Sequence, residues 1–599
     1  MNPSHSGAPG RDRSSGLKRA QWVFLVGCCA AFSWYCAVPR GVVSAAAPPS
    51  TPIILISVDT LRADHLGVYG YRRARTPNID SFAAHGTVFR ETSCQIPLTL
   101  PSHFSLLTST YPFANQVREN AQQAPSNAVT LASVLHAQGY RTAAFIGAVY
   151  LERELGLDRG FDFYDSPFSF EAFSSLAGSM FFGDRNRNPL LGRDRRDGAL
   201  VVRAARQWLD ANRDKPVFAF VHLFDLHQPY RLPEGAVRPG ISEYDAELER
   251  VDQMIGSFRQ ALIRDGLWDR SLVILVSDHG ESLGDHGEQT HGYFIYQSTL
   301  HVPLIVHWPS TAPDHAPSAP QPAGLIDVAP TILDFLHLPA PPSFAGRSLL
   351  KALDSGKASS PAAVYSESDY SHDAFGWASL RSLRAGKYKY IDAPRPELYD
   401  LEADPRERRN AIAAHPAEAR SLRDQLASLL ASQRSQPPAS NGAIPPERLA
   451  ALKSLGYLAP GPQSPGKTSG PDPKDRLREY RLYEQAQDEI LSGRSADAVL
   501  ILRQMVDRDP RNTLARRDLG VAYLNQALYA KARASLLQVV ATAPADFVAR
   551  FELGVADEHA GRFSEALEQL RAACLIAPRA GGCRRELEAV QHKVEKGSQ

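Results

Sequence analysis

The sequence predicts an α/β fold with a doubly wound, mostly parallel sheet, followed by a small antiparallel subdomain and an all-α repeat array. Short apolar runs alternate with helical patterns over residues 52 to about 345, as expected for parallel strands that are covered on both faces. A repeat of 34 residues occupies the C-terminal region. The chain has 599 residues, of which 43% are hydrophobic and 22% are charged, so it is globular and long enough for several domains.

The first 47 residues are typical of an export segment. Basic residues between Arg11 and Arg19 precede the uncharged run QWVFLVGCCAAFSWYCAV, and the small residues VVSAAAPP follow it. This order predicts a secretory signal, and the apolar run is also just long enough for a single membrane anchor. We therefore expect an exported protein, periplasmic or extracellular, with either a cleaved signal or one anchor. A net charge of +1 gives no reason to expect nucleic acid as a partner.

Residues 50–345 form the predicted α/β domain. Its predicted strands are the near-continuous apolar segments PIILISVD, RTAAFIGAV, PVFAFVHLF, SLVILVSD and VPLIVHWP. Helical segments lie between them, for example TLASVLHAQG, where Gly139 is placed to end a helix. Shorter strands with hairpin-like spacing in residues 346–430 predict the antiparallel subdomain. Residues 431–475 are rich in Ser, Pro and Gly, which is a linker composition.

Residues 476–599 repeat with a period of 34. The residues that recur at this spacing are Ala498, Ala532 and Ala566, Gly520 and Gly554, and Pro510, Pro544 and Pro578. Small residues at helix crossings and a proline at each repeat end resemble the tetratricopeptide repeat. We expect about three repeats with a capping helix, forming a short solenoid that binds a protein partner. Cys574 and Cys583 are candidates for a disulfide in an exported protein, although sequence alone does not establish one.

Acidic and imidazole side chains follow three of the predicted strands. Asp59 ends the first strand, Asp225 with His227 follows FAFVHLF, and Asp278 with His279 follows LVILVS. The carboxyl ends of parallel strands meet at one edge of a sheet, where ligands bind. A single Asp after a strand is more often a helix cap or turn residue, but three strand ends together predict a metal site.

The loop that follows the last of these strands is dense in groups that can bind metals. Between residues 278 and 292 it adds Asp285, His286 and His291, separated by four glycines. Carboxylate and imidazole ligands together favour zinc or manganese, whereas an all-oxygen set would favour calcium or magnesium. Because His279 stands beside Asp278, zinc or manganese is favoured.

Thr99 is a candidate nucleophile at the start of a predicted helix. Pro101 suits the first turn of that helix, and SHFSLLTS continues it. A threonine at that point lies near the positive end of the helix dipole, where anions are favoured. A bound metal would lower the pKa of its hydroxyl and make it a nucleophile. The alternative is that Thr99 only caps the helix, a common role for threonine.

Residues 52–410 resemble the sulfatase branch of the alkaline phosphatase superfamily. The segments that carry the resemblance are ISVDTLRADHLGVYG, TLPSHFSLLTSTYP, HLFDLHQPY, VSDHGESLGDHGEQTHG and ELYDLEADPRERRN, in this order. The resemblance implies an alkaline-phosphatase-like fold in which Asp59, Asp278 and His279 are metal ligands. It also places Thr99 at the position of the nucleophile.

The resemblance implies roles for three histidines as well. His227 matches the histidine that contacts the transferred group or the leaving oxygen. His291 lies where sulfatases usually carry a lysine against the sulfate, and where phosphoethanolamine transferases carry a histidine. His103 replaces the arginine of the C/S-x-P-S-R motif and is a further candidate catalytic residue.

The departures from the sulfatase pattern shape the predicted function. Thr99 cannot be oxidised to formylglycine, and Thr60 replaces an aspartate that would bind calcium. We therefore predict an exported hydrolase that uses Thr99 and a divalent metal, zinc or manganese before calcium, to cleave sulfate or phosphate/phosphonate esters. The substrate would be a small-molecule, glycan or lipid ester. The alternatives are a phosphoethanolamine-type transferase that acts on an envelope component, and an inactive scaffold whose repeats bind a protein.

Overall fold

The computed structural model describes residues 50–120, 122–168, 195–313, 315–350, 353, 363–433, 470–576 and 581–597. The predicted export segment lies outside these residues, and so does most of the predicted linker. Over the ranges that are described, none of the helices combines the length and the apolar character needed to cross a bilayer.

The main sheet has eight strands in the order β4-β3-β5-β1-β6-β7-β2-β8. The strands are β1 Ile53–Val58, β2 Thr87–Ser93, β3 Arg141–Phe145, β4 Phe163–Asp165, β5 Val217–Leu223, β6 Leu272–Val276, β7 His301–His307 and β8 Ser318–Gly324. Strands β4, β3, β5, β1 and β6 are mutually parallel. The central strands β1, β5 and β6 are buried along their whole length, which explains their unbroken apolar sequences. The predicted mostly parallel sheet is confirmed.

Strand β7 differs from the expectation, because it runs antiparallel to both of its neighbours, β6 and β2. Six of its seven residues are buried. Burial on both faces produces a continuous apolar run whichever way a strand points, so the segment VPLIVHWP did not reveal its direction. Strands β2 and β8 were not predicted from sequence. Strand β2 carries Arg90 and Glu91, and the edge strand β8 contains two prolines, which edge strands tolerate.

Helices cover both faces of the sheet and form two hydrophobic cores. The helices of this domain are α1 Pro77–Ala84, α2 Thr99–Thr108, α3 Pro112–Asn115, α4 Leu131–Ala137, α5 Gly198–Ala211, α6 Glu243–Arg264, α7 Gln297–Leu300 and α8 Val328–Phe335. Short 3₁₀ turns span Ala63–His65, Gly67–Tyr69, Val149–Leu151, Arg153–Leu155, Trp268–Arg270, Asp285–Gly287 and Leu325–Asp327. One core includes α1, α5 and α6, and the other includes α2, α4 and α8. The doubly wound arrangement therefore matches the prediction.

A second, antiparallel sheet has the strand order β12-β11-β10-β9. Its elements are β9 Ala363–Ser368, α9 Tyr370–Phe375, β10 Leu380–Ala385, β11 Tyr388–Asp392, β12 Glu397–Asp400 and α10 Pro416–Gln433. Leu422 and Leu426 of α10 pack against Leu383 and Tyr390 of the sheet. This is the predicted small antiparallel subdomain.

A run of antiparallel helix pairs completes the described chain. It begins with a 3₁₀ turn, Pro473–Arg476, and continues with α11 Leu477–Leu491, α12 Ser495–Arg508, α13 Thr513–Asn525, α14 Tyr529–Thr542, α15 Phe547–His559, α16 Phe563–Ile576 and α17 Gly581–Gly597. The three recurring alanines are fully buried. A Cβ on Gly520 would lie 2.6 Å from Leu536, and one on Gly554 would lie 2.7 Å from Leu570. Helix-to-helix contact is therefore the reason for the period of 34.

The two candidate cysteines are joined in the structure. A disulfide connects Cys574 near the end of α16 to Cys583 near the start of α17. The remaining cysteine of the described chain, Cys94, is buried and free. The disulfide thus ties the last predicted repeat to its capping helix.

Candidate active site

Three of the predicted metal ligands meet at the carboxyl edge of the main sheet. Asp59 directly follows β1, and Asp278 and His279 follow β6, the neighbouring strand. One ligand atom from each residue lies within 4.8 Å of the others, and all three side chains are fully buried. The described residues contain this one group of three or more metal-type side chains. The parallel pairing of β1 and β6 brings the group together.

The donor atoms of this group fit a divalent cation. Asp59 Oδ1 and Asp278 Oδ2 are buried and accept no hydrogen bond, and His279 Nε2 lies 3.4 Å from Asp278 Oδ2. Burial raises the pKa of both carboxyls, and for Asp278 the nearby Asp59 adds to the rise. Two buried carboxylates need a positive charge, and a metal ion supplies one. Asp59, Asp278 and His279 could therefore hold a divalent metal.

A hydrogen bond to the main chain fixes the orientation of the His279 ring. Its Nδ1 donates to the carbonyl of Gly280 at 3.0 Å, so Nε2 is the nitrogen that faces the two carboxylates. Burial, and then the neighbouring His291, lower the pKa of His279 to about 3, which keeps the imidazole neutral as a metal ligand must be. A Cβ on Gly280 would lie 2.2 Å from the Ser298 carbonyl. Glycine is therefore required where this loop turns.

Thr99 belongs to the same cluster, and it does not cap its helix. It is the first residue of α2, whose N-cap is Leu98, and no side chain makes a cap hydrogen bond there. Pro101 therefore lies in the first turn of this helix, as the sequence predicted. The hydroxyl is 3.5 Å from His279 Nε2. Thr99 is 1% exposed, and its hydroxyl faces one of the metal-type residues, His279.

His103 lies one turn further along α2 and supports the helix start. Its Nδ1 donates to the Thr99 carbonyl at 2.8 Å, so Nε2 accepts from the Ser57 hydroxyl, also at 2.8 Å. The same Nδ1 is 3.5 Å from Asp278 Oδ2. Both ring nitrogens are thus engaged by protein groups, which favours a positioning role for His103 over contact with substrate.

His227 and His291 lie beside the cluster. The centroid of the His291 ring is 4.3 Å from that of His279 and 5.2 Å from that of His227. His227 Nδ1 donates to the Gln228 carbonyl at 2.6 Å, and His291 Nδ1 is hydrogen-bonded to Glu281 Oε1 at 3.2 Å. Burial lowers the pKa of His291 to about 4 and that of His227 well below its ordinary value. Both rings are therefore neutral near pH 7.

Three further residues of the site were missed by sequence reasoning. Glu281 holds His291, as described above. His222 lies inside β5, fully buried, with its Nε2 3.4 Å from Asp59 Oδ2. Asn120 accepts a hydrogen bond from the Leu100 amide at 2.9 Å, while its buried Nδ2 donates none. The histidine inside the apolar run FAFVHLF was a usable signal, because a polar residue in a buried strand needs a partner.

Three other candidate groups do not join the cluster. Asp225 accepts a hydrogen bond from the Gly198 amide at the start of α5, a helix whose N-cap is Asp197. Asp285 pairs with Arg62 at 2.9 Å. His286 donates to the Arg406 carbonyl at 3.1 Å and stacks on Tyr296. The glycine-rich loop therefore supplies two members of the cluster, while its other polar groups serve structure or lie beside it.

Comparison with known proteins agrees with this geometry. Residues 51–338 match the sulfatase family, residues 284–436 match the family described as N-sulphoglucosamine sulphohydrolase, C-terminal, and residues 489–549 match a tetratricopeptide repeat family. Arylsulfatase K of Mus musculus is 23% identical over 443 residues, which cover 63% of this chain and 79% of the mouse protein. N-acetylgalactosamine-6-O-sulfatase of Bacteroides thetaiotaomicron is 24% identical, covering 63% of this chain and 92% of that enzyme.

A solved structure supports the fold. The phosphonate monoester hydrolase of Agrobacterium radiobacter aligns with a TM-score of 0.52 at 21% identity, covering 64% of this chain and 96% of the hydrolase. At this identity the likeness concerns the arrangement of the chain rather than its chemistry. The family matches and the relatives named above carry the assignment of the activity class. The chain therefore carries a sulfatase domain over residues 51–338, of the hydrolase class that acts on sulfate or phosphate esters, and tetratricopeptide repeats follow it.

Proposed function

We propose that this chain cleaves sulfate or phosphate/phosphonate esters with Thr99 as the nucleophile and with a divalent metal held by Asp59, Asp278 and His279. The observation that carries the proposal is the distance of 3.5 Å between Thr99 Oγ1 and His279 Nε2 in a fully buried cluster. A bound metal would supply the positive charge that lowers the pKa of the threonine hydroxyl and stabilises an anionic transition state. The imidazole ligand favours zinc or manganese, with calcium as the alternative.

The reaction would proceed in two displacements at phosphorus or sulfur. In the first, Thr99 Oγ1 forms a bond to that atom while the bond to the leaving oxygen breaks, and the hydroxyl proton ends on the leaving alcohol. His227, a neutral imidazole, carries this proton. Burial raises the pKa of Glu281 well above its ordinary value, so a protonated Glu281 would donate to His291 Nδ1 and leave His291 Nε2–H to donate to the oxygens of the transferred group. In the second, water attacks the covalent threonine ester, and the phosphate or sulfate departs as the threonine hydroxyl is restored.

Phosphoryl or phosphonyl transfer is supported at least as well as sulfuryl transfer. The nucleophile position carries Thr99, which cannot become formylglycine, the residue that sulfatases form there. A threonine oxygen can form a stable phosphoester and release it by hydrolysis, as other hydroxyl nucleophiles do. Phosphonate monoesters therefore belong in the substrate panel beside aryl sulfates.

Export and a protein partner complete the proposal. The export segment in residues 1–47 and the disulfide between Cys574 and Cys583 both support an oxidising compartment, since disulfides persist in exported proteins. The repeats present a solenoid of the kind that binds protein segments. A partner on the repeats could place the enzyme near its substrate.

The test combines a substrate panel with one matched pair of variants. The protein without residues 1–47 is analysed for bound metal and assayed on aryl sulfate, aryl phosphate, aryl phosphodiester and aryl phosphonate. We expect Thr99→Ala to lower kcat by at least ~10³-fold, which is of the order found when nucleophiles are removed. Thr108→Ala, at the other end of the same helix, should retain activity. Full activity in Thr99→Ala on every substrate would refute the mechanism, and mass spectrometry of a trapped adduct on Thr99 would identify the transferred group.

A further inference from the structure

The loop that carries His291 lies between the metal-type cluster and the first repeat helix. This loop, residues 278–294, begins with Asp278 and His279 and ends just before α7. Gly287, Thr290 and Tyr293 contact residues on or just before α11. His291 thus stands in a segment that has the reaction site on one side and the repeat array on the other.

Four polar contacts join the loop to the repeat array, one of them between the Thr290 and Tyr480 hydroxyls at 3.4 Å. Arg481 Nε donates to the Gly287 carbonyl at 2.7 Å. The Thr290 hydroxyl donates to Glu484 Oε1 at 3.2 Å, and the Tyr293 hydroxyl donates to the Pro473 carbonyl at 2.7 Å. Loss of such a bond is most costly where the partner that remains is buried and left unsatisfied. Together they hold the loop on both sides of His291.

An aromatic stack forms the centre of this contact. The rings of Tyr293 and Tyr480 are parallel within 12°, with centroids 4.1 Å apart, and the two residues are 0% and 2% exposed. Tyr480 also donates its hydroxyl to Glu484 at 2.7 Å, so one side chain links the stack to the polar contacts. Two buried aromatic rings in contact stabilise each other beyond the effect of their burial alone.

The fit at Gly287 leaves no room for the loop to move toward the helix. Gly287 has φ of +88°, a left-handed conformation, and a Cβ there would lie 2.3 Å from Arg481 Nη2 and 2.5 Å from Leu477 Cδ2. A glycine is therefore needed both for the turn and for the close approach of α11. A loop packed this closely transmits a displacement of the helix to its own residues.

We propose that Tyr480 and Arg481, on the first helix of the repeat array, are positioning residues that hold His291 in its reactive place. The inference rests on the proposed function, because it takes His291 as a group that contacts the substrate. His291 is two residues from Tyr293 and one from Thr290, so the contacts with α11 set where its ring lies relative to His279. A misplacement of about 1 Å in such a group can cost ~100-fold in rate.

The first test compares kcat and KM in the metal-loaded chain without residues 1–47. Tyr480→Ala and Arg481→Ala should lower kcat roughly 10-fold or more with little change in KM, since the substrate does not touch these residues. Tyr480→Phe keeps the ring stack and should recover most of the activity. Arg478→Ala is the matched control, because Arg478 is an exposed arginine on the same helix. Metal content should stay at the wild-type value in all four variants.

The second test reads the position of the loop without using activity. Amide hydrogen exchange should become faster across residues 284–294 in Tyr480→Ala, while the central strands keep their protection. If the wild type hydrolyses none of the esters, the proposed function fails, and exchange still decides whether α11 holds the loop. Unchanged exchange in this segment overturns the proposal, and so does faster exchange with wild-type kcat. Should Tyr480→Ala not fold, Arg481→Ala, which alters an exposed side chain, decides by the same two readouts.

Discussion

Thr99 Oγ1 lies 3.5 Å from His279 Nε2, although 180 residues separate them in the chain. The contact exists because α2 starts at the same edge of the sheet where β1 and β6 end. It replaces the helix-cap hydrogen bond that a threonine at a helix start commonly makes. A hydroxyl at this place is adjacent to the atoms that would bind a metal, which is the arrangement that a nucleophile requires.

Asp278→Asn should separate metal affinity from the stability of the metal-free chain. In the metal-free protein two buried carboxyls repel each other, so a neutral amide of the same shape should raise the free energy of unfolding by roughly 1–3 kcal/mol. In the presence of metal the same change should abolish binding and turnover. Mass spectrometry for metal and denaturant unfolding with a chelator check both effects. Asp285→Asn, in the same loop but paired with Arg62, is the control; equal metal content in the two variants contradicts the assignment.

Ser57→Ala should affect both stability and turnover through His103. The substitution leaves His103 Nε2 buried without its donor, which costs roughly 1–3 kcal/mol. The helix start would then shift under Thr99, so kcat should fall several-fold. The matched control is Ser271→Ala, another fully buried serine, whose hydroxyl donates to the Leu267 carbonyl far from the site along the strand. The control should lose stability and keep its kcat; an equal loss of kcat in both would show that His103 has no special role.

Glu484 should make the stability of the chain depend on pH. Burial raises the pKa of this carboxyl to about 7, while the Tyr480 and Thr290 hydroxyls oppose the rise and Asp488 and Glu281 add to it. The folded state therefore binds a proton more tightly than the unfolded state. The stabilisation is complete below the unfolded pKa near 4.5 and is lost as pH rises through about 7.

Glu484→Gln removes this titration, while the amide oxygen of the glutamine can still accept the hydrogen bonds that the carboxyl accepts from Tyr480 and Thr290. Between pH 5 and pH 8 the variant should lose less stability than the wild type, by roughly 2–3 kcal/mol at most. Urea unfolding of both proteins at pH 5 and pH 8 gives the change in free energy of unfolding between the two pH values for each, and these two changes are then compared. Glu479→Gln on the same helix is the control, and parallel pH curves for wild type and Glu484→Gln would contradict the expectation.

Sequence predicted those features that follow from the general arrangement of strands and helices, and it missed those that depend on exact register or on contacts between distant segments. Asp59, Asp278 and His279 could be predicted to meet, because the carboxyl ends of neighbouring parallel strands lie at one edge whatever the details. The role of His222 could not, because it depends on the register that pairs β5 with β1 and sets this ring beside Asp59. The repeats were visible as a period, since helix crossings demand small residues at fixed intervals.

Other features depend on contacts between distant segments and left no local signal. The stack of Tyr480 on Tyr293 joins the repeat array to the loop of residues 278–294, and each tyrosine alone is an ordinary apolar position in the sequence. The two prolines of β8 lower the local propensity for a strand, so the sequence did not predict one there. Pairing with β2 nevertheless stabilises this edge strand. Thr99 was ambiguous for a similar reason. A capping threonine and a nucleophilic threonine can both stand at a helix start, and they differ in whether the hydroxyl faces its own helix or residues from other segments, such as His279.

The disulfide between Cys574 and Cys583 should stabilise the C-terminal end of the repeat array. It closes a loop with a sequence separation of 9 residues, so the chain-entropy contribution is roughly 2–3 kcal/mol. Because repeats unfold through their nearest neighbours, the paired variant Cys574→Ser with Cys583→Ser should loosen α16 and α17 first. Hydrogen exchange should show faster exchange there, with the main sheet and kcat unchanged.

Thiol titration of the denatured chain without residues 1–47 should find one thiol, from Cys94, without reductant and three with it. In protein purified from its native compartment, a thiol count that does not rise by two on reduction would contradict the disulfide and weaken the proposal of export that it supports.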